Sequence, residues 1–142
     1  MIKKPVEFHA ELLTKFQYSP SSKQNKLLRL LSDFIFREEK DDLFLLKGYA
    51  GTGKTTIISA FVNSLAFAGK KSVLLAPTGR AAKVISIYSK KEAFTIHKKI
   101  YFPKKQINGS VDFVLQTNKH RNTIFIIDEA SMIPDNRQNQ KL

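Results

Sequence analysis

Leu43-Phe44-Leu45-Leu46-Lys47-Gly48-Tyr49-Ala50-Gly51-Thr52-Gly53-Lys54-Thr55-Thr56 is the stretch whose reading decides the fold. Four consecutive apolar residues lead into a match to G-x-x-x-x-G-K-[ST], and Thr55 to Ala68 then reads as a helix stopped by Gly69. The glycines let successive backbone N–H groups turn toward one phosphate without a β-carbon in the way. The N-terminus of the following helix adds its dipole. In this arrangement Lys54 reaches the β- and γ-phosphates of a nucleotide, and Thr55 offers an oxygen to Mg²⁺. A glycine turn that merely joins a strand to a helix is the plain alternative, and the strand-before, helix-after context argues against it.

Working outward, two further apolar runs resemble the first: Val73-Leu74-Leu75-Ala76, ending at Pro77, and Ile124-Phe125-Ile126-Ile127, ending at Asp128. Runs apolar at every position predict strands buried on both faces of a parallel sheet. Ser21 and Ser22 offer an N-cap for a helix reaching about Arg37, with Leu27, Leu30, Leu31 and Phe34 on one stripe. Short helices are expected from Ala81 to Tyr88 and from Thr95 to Tyr101. Residues 103–122 are polar, with an Asn108-Gly109 turn and an extra strand candidate at Val111 to Leu115. Residues 1–20 read as a loose lead-in, 21–134 as one domain and 135–142 as a polar tail. Alternation of strands and helices makes the fold class α/β.

The third run delivers Asp128-Glu129 at the carboxyl end of a strand, where a crevice in such sheets lies. One carboxylate there can hold Mg²⁺ through water, and the second can polarise an attacking water for in-line displacement at the γ-phosphate. Paired acids after a strand also serve as simple helix caps, so the pair gains its meaning from the phosphate loop.

Composition limits the rest. The 142 residues carry 24 Lys plus Arg against 12 Asp plus Glu, a net charge of +12, and 42% of them are apolar, which excludes wholesale disorder. Ten of the basic residues fall between Lys70 and Lys105, where Glu92 is the only acid. Such concentrated charge attracts polyanions through counterion release, although a solvated lysine-rich surface would look the same. The absence of cysteine excludes disulfides, thiolate metal sites and a cysteine nucleophile. No apolar run approaches the roughly 20 residues of a membrane span, and Met1-Ile2-Lys3-Lys4-Pro5 lacks the apolar region of a secretory signal. A soluble cytoplasmic protein without a membrane partner is expected. His9 and His120 belong to no cluster with metal-ligand spacing.

Four segments together resemble the superfamily 1B DNA helicases of the RecD-like type, the exodeoxyribonuclease V alpha subunit family. Gly48 to Thr56 is similar to their motif I and Ala76-Pro77-Thr78-Gly79-Arg80-Ala81-Ala82 to motif Ia; Thr95-Ile96-His97 is similar to motif Ib and Asp128-Glu129-Ala130-Ser131-Met132 to motif II. The resemblance covers roughly residues 18–134. It implies an incomplete P-loop NTPase domain of RecA-like type, a three-layer parallel sheet with helices on both faces. It further implies ATP and Mg²⁺ as cofactors and 5′ to 3′ translocation on single-stranded DNA. Nucleotide would be held by Gly48, Ala50, Gly51, Thr52, Gly53, Lys54, Thr55 and Thr56. Gln24 is placed like the glutamine that reads adenine. Lys54, Asp128 and Glu129 would be catalytic, with Thr55 and Asp128 on the metal, and Thr78, Arg80 and His97 would touch DNA. In the family, a strand after motif II and a second RecA-like domain with an arginine finger complete the motor; nothing in residues 135–142 matches them. A missing C-terminal domain or a partner is therefore expected to supply the finger. A free-standing nucleotide-binding module is the alternative function. A small-molecule P-loop kinase is disfavoured, since no arginine-rich lid follows the motifs.

Overall fold

The computed structural model describes residues 1–39, 41–48 and 53–134. They form two compact units, Met1–Ser72 with Tyr88–Lys90 and Arg121–Ile124, and Val73–Ile87 with Lys91–His120 and the residues from Phe125 onward.

The first unit is helical. Helix α1 (Pro5–Thr14) starts with Pro5 in the first turn, where a missing N–H costs nothing, and carries Glu7 near the positive end of its dipole. Phe8 and Leu12, one turn apart, are fully buried. Phe8 meets the rings of Phe36 and Phe61 edge-on, with centroids 6.4 and 6.1 Å away. The segment expected to be a loose lead-in is thus a packed helix, docked on α2 (Ser22–Phe34) and α3 (Lys54–Ser64). Its two apolar positions gain their meaning from Phe36 and Phe61, far along the chain. Helix α2 starts at the expected N-cap, Ser21, and buries Leu28 and Leu31. Helix α3 tightens into a 3₁₀ turn (Leu65–Ala68), and Gly69 at φ +68° ends it as expected.

The first apolar run departs from expectation. Residues 43–47 join no strand ladder. Leu43 and Leu45 are 87% and 63% exposed, while Phe44 turns to Phe34 at 5.5 Å between ring centroids. A strand exists only through its hydrogen-bonded neighbours, and none of the described strands lies beside this one.

The parallel-type sheet has three strands in the order β2-β1-β5: β1 (Lys71–Ala76), β2 (Ala93–Thr95) and β5 (Thr123–Ile127). Strands β1 and β2 run parallel, with Leu74 opposite Ala93 and Ala76 opposite Thr95. Central β1 buries Val73 to Ala76 completely, whereas edge strand β5 leaves Phe125 and Ile127 exposed, so burial on both faces holds for the middle run alone. Helix α4 (Gly79–Ser89) follows β1 and presses Ala82 and Ile85 into the core. Helix α5 (Ile96–Ile100) leads into an antiparallel hairpin of β3 (Tyr101–Lys105) and β4 (Val111–Leu115). The strand expected at Val111 to Leu115 is present, and it pairs with Tyr101 to Lys105, where the sequence pointed to the end of a short helix and the start of a polar stretch. The hairpin turn holds Gly109 at φ +84°, where glycine avoids β-carbon strain. No helix among the described residues is long and apolar enough to cross a membrane.

Candidate nucleotide and nucleic-acid sites

The phosphate loop belongs to the first unit. Its residues Ala50, Gly51 and Thr52, like the tail 135–142, lie outside the described residues. Gly53 caps α3 at φ +82°, a left-handed conformation open to glycine at little cost. Lys54 opens α3, and its ammonium donates back to the Gly48 carbonyl. Among the described residues no carboxylate pairs with Lys54, which leaves its charge for an anionic ligand. Thr55 is half-buried and Thr56 exposed in the same first turn. A left-handed glycine, a lysine with no acidic partner among the described residues and a hydroxyl at a helix N-terminus form a donor set suited to polyphosphate and a hard cation.

Gln24 reaches this loop from α2. Its backbone N–H donates to the Ser21 hydroxyl at 3.2 Å while its Oε1 accepts from the Ser21 N–H at 2.9 Å, a reciprocal capping box. Its Nε2 sits so close to Gly53 that a β-carbon on residue 53 would lie 2.7 Å from it. Ser21 takes a larger part than a plain N-cap, and the Ser-x-x-Gln spacing is the signal that shows it.

A second set of residues gathers in the second unit. Thr78, Arg80, Ala81, Val84, Asp128, Glu129 and Met132 line one pocket of about 240 Å³. Thr78 is held as the cap of α4: its hydroxyl accepts from the Ala81 N–H at 3.2 Å and its carbonyl from the Ala82 N–H at 3.0 Å. Asp128 is half-buried at the end of β5, and its N–H donates to the Leu75 carbonyl at 2.9 Å. Glu129 stands at φ +54° and is exposed. A non-glycine residue there costs of order 1 kcal/mol and turns the acidic side chain out of the strand direction. Two carboxylates and a guanidinium on one pocket can hold a cation and an anion side by side. Of its apolar lining, Ala81 and Met132 lie in the segments similar to motifs Ia and II, whereas Val84 carries no motif that would have singled it out.

His97 lies elsewhere, on α5. Its ring contacts Tyr101 at 4.9 Å and Phe113 at 4.7 Å between centroids, so it joins the helix to the hairpin. Beside it, the Lys99 ammonium sits 4.4 Å above the Phe94 ring.

The family described as AAA domain matches residues 33–142. The chain belongs to the AAA domain family. It is a helicase-like P-loop domain: it is 43% identical over 61 residues to the ATP-dependent DNA helicase dda of Enterobacteria phage T4, a match covering 42% of this chain and 14% of that protein. It is also 30% identical over 119 residues to the uncharacterized protein MJ1519 of Methanocaldococcus jannaschii, covering 76% of this chain and 10% of the relative. The chain thus spans a small fraction of the length of these curated relatives. No solved structure gives a significant match.

Proposed function

We propose that this chain is the ATP-binding motor domain of an ATP-dependent DNA helicase of superfamily 1B, RecD-like type, moving 5′ to 3′ along single-stranded DNA. Residues 21–134 are its nucleotide-binding domain. One observation carries the reading: Lys54, without an acidic partner among the described residues, stands behind left-handed Gly53 at the head of α3. That is the arrangement a triphosphate requires. Similarity to a DNA helicase and membership of the AAA domain family support it.

Lys54 and the loop from Gly48 to Thr56, including Ala50, Gly51 and Thr52, hold the β- and γ-phosphates, and Gln24 approaches the base. Thr55 and Asp128 hold Mg²⁺, which when bound neutralises charge on the phosphate oxygens. Glu129, exposed and turned out at its left-handed position, accepts the proton of the attacking water. Thr78, Arg80 and His97 meet the DNA backbone, with the lysines of residues 70–105 adding sequence-independent attraction. The arginine finger comes from a further RecA-like domain or a partner. The relative dda of phage T4 is named an ATP-dependent DNA helicase, and the ATP dependence and the DNA substrate are carried to this chain as part of the proposal.

Titration of a fluorescent ATP analogue with Mg²⁺ tests the reading directly. Wild type is expected to bind and Lys54→Ala to lose binding; equal affinities would overturn the assignment.

A further inference from the structure

The hairpin of β3 and β4 keeps one of its two edges closed and leaves the other open. The Gln106 N–H donates to the Ser110 carbonyl at 2.8 Å and the Gln116 N–H to the Ile100 carbonyl at 2.7 Å, one bond at each end of the ladder. Bonded residues alternate along an antiparallel pair, so even-numbered residues turn their N–H and C=O inward and odd-numbered ones turn theirs out. On β3 that outer row is broken: Pro103 has no N–H, and the Tyr101 carbonyl accepts from the Gln116 side-chain amide at 3.0 Å. On β4 the row is whole. Val111, Phe113 and Leu115 each offer an N–H and a C=O, and the hairpin has no third strand among the described residues. Their side chains share one face and are 52%, 57% and 64% exposed.

Such an edge pairs with another extended chain, and apolar side chains at every second position set that chain's register. Local charge decides the partner's chemistry. From Ala93 to His120 five lysines, Lys98, Lys99, Lys104, Lys105 and Lys119, stand against one acid, Asp112, whose carboxylate accepts from the Gln106 amide. None of the five pairs with a carboxylate among the described residues. A second copy of this chain would bring the same lysines face to face. A nucleic acid would meet the charge, but it has no row of amides and carbonyls to complete the ladder. We propose that the outer edge of β4 is a docking site for an acidic, extended segment of a partner protein, which adds to the hairpin as a third strand. Its apolar residues lie against Val111, Phe113 and Leu115, and its carboxylates meet the lysines.

The test uses the 142-residue chain and a set of synthetic peptides. In each, Ile, Val, Leu or Phe alternates with Thr, and aspartates flank both ends. Fluorescence anisotropy is expected to show binding that weakens with salt, and no binding when lysine replaces every aspartate. An added strand turns only every second amide to its neighbour. Methylating one alternate set of peptide nitrogens is therefore expected to abolish binding, and methylating the other set to leave it. On the protein side, Phe113→Pro removes an outward N–H directly opposite Pro103, where the hairpin already accepts proline. It is expected to weaken the peptide roughly three- to tenfold, the net worth of one hydrogen bond, and Phe113→Val, which keeps the N–H, by clearly less. Lys105→Glu with Lys119→Glu is expected to weaken binding and flatten its salt dependence. The proposal is overturned if no acidic peptide binds, if both methylated sets behave alike, or if Phe113→Pro or the lysine pair binds undiminished.

Should the proline variant fail to fold, the wild type decides by NMR. Adding the tightest peptide is expected to protect the N–H groups of Val111, Phe113 and Leu115 from hydrogen exchange, the three that the hairpin itself leaves unpaired. Unprotected Val111, Phe113 and Leu115 at saturating peptide overturn the proposal. A single-stranded dT oligonucleotide is the remaining probe. If it shifts the Val111, Phe113 and Leu115 signals and the acidic peptides do not, the surface is a nucleic-acid contact and the assignment to a protein partner falls.

Discussion

The backbone N–H of Asp128 donates to the carbonyl of Leu75 at 2.9 Å, tying the acidic pair to the buried end of β1. Leu75 is fully enclosed, so Asp128 inherits the position of a core strand although its own strand lies at the sheet edge. Its carboxylate is thereby carried to the pocket that Thr78 and Arg80 line from the segment leaving the same β1.

Asp128, tied to β1 through its backbone, and exposed Glu129 should separate on mutation. Glu129→Gln is expected to keep Mg-ATP affinity within about threefold and to slow hydrolysis by roughly 10²–10⁴, the usual worth of a positioned base. Asp128→Ala is expected to weaken Mg²⁺-dependent binding. Equilibrium titration alongside single-turnover hydrolysis checks both, and a Glu129→Gln protein that hydrolyses at the wild-type rate would remove its assigned role.

Basic residues around the pocket should set salt dependence. Reversing charge at Arg80 and Lys83 is expected to weaken single-stranded DNA binding and to flatten the slope of log K against log salt by about 1 to 1.5, as two phosphate contacts are lost. The same reversal at Lys3 and Lys4 should change the slope little. Fluorescence anisotropy over a salt series distinguishes a local contact from a diffuse field, which would respond to both pairs alike.

Phe8 closes the core of the first unit from a helix that lacks any motif. Phe8→Ala is expected to destabilise by about 3–5 kcal/mol, through lost transfer energy and the cavity left between Phe36 and Phe61. Urea unfolding followed by circular dichroism measures it; a loss below 1 kcal/mol would mean that α1 is dispensable.

Leu43 and Leu45 present an apolar edge without a strand partner among the described residues, a template for association between chains. Leu45→Lys is expected to leave thermal stability within about 0.5 kcal/mol while raising the concentration at which residues 1–142 aggregate. Light scattering and thermal unfolding on the two proteins check it. Unchanged aggregation would place the sticky surface elsewhere, for instance at exposed Phe125 and Ile127.

Local chemistry determined what could be read along the chain. Ser21 caps α2, Gly69 ends the turn after α3 and Gly109 makes the hairpin turn, because each obeys a rule spanning three or four residues. Gly53 at the head of α3 and the Asp128-Glu129 pair directly after β5 stand where the local pattern put them, because each adjoins its own element in sequence. Tertiary structure alone decided which apolar run is buried. Val73 to Ala76, Leu43 to Leu46 and Ile124 to Ile127 look alike as letters, yet among the described residues only the first has a strand on each side. It decided too that Phe8 and Leu12 belong to the core, that His97 packs between Tyr101 and Phe113, and that the Gln24 amide comes to rest against Gly53. Each of these depends on residues far apart in sequence, and burial is a property of the partners that surround a side chain, which no local pattern specifies.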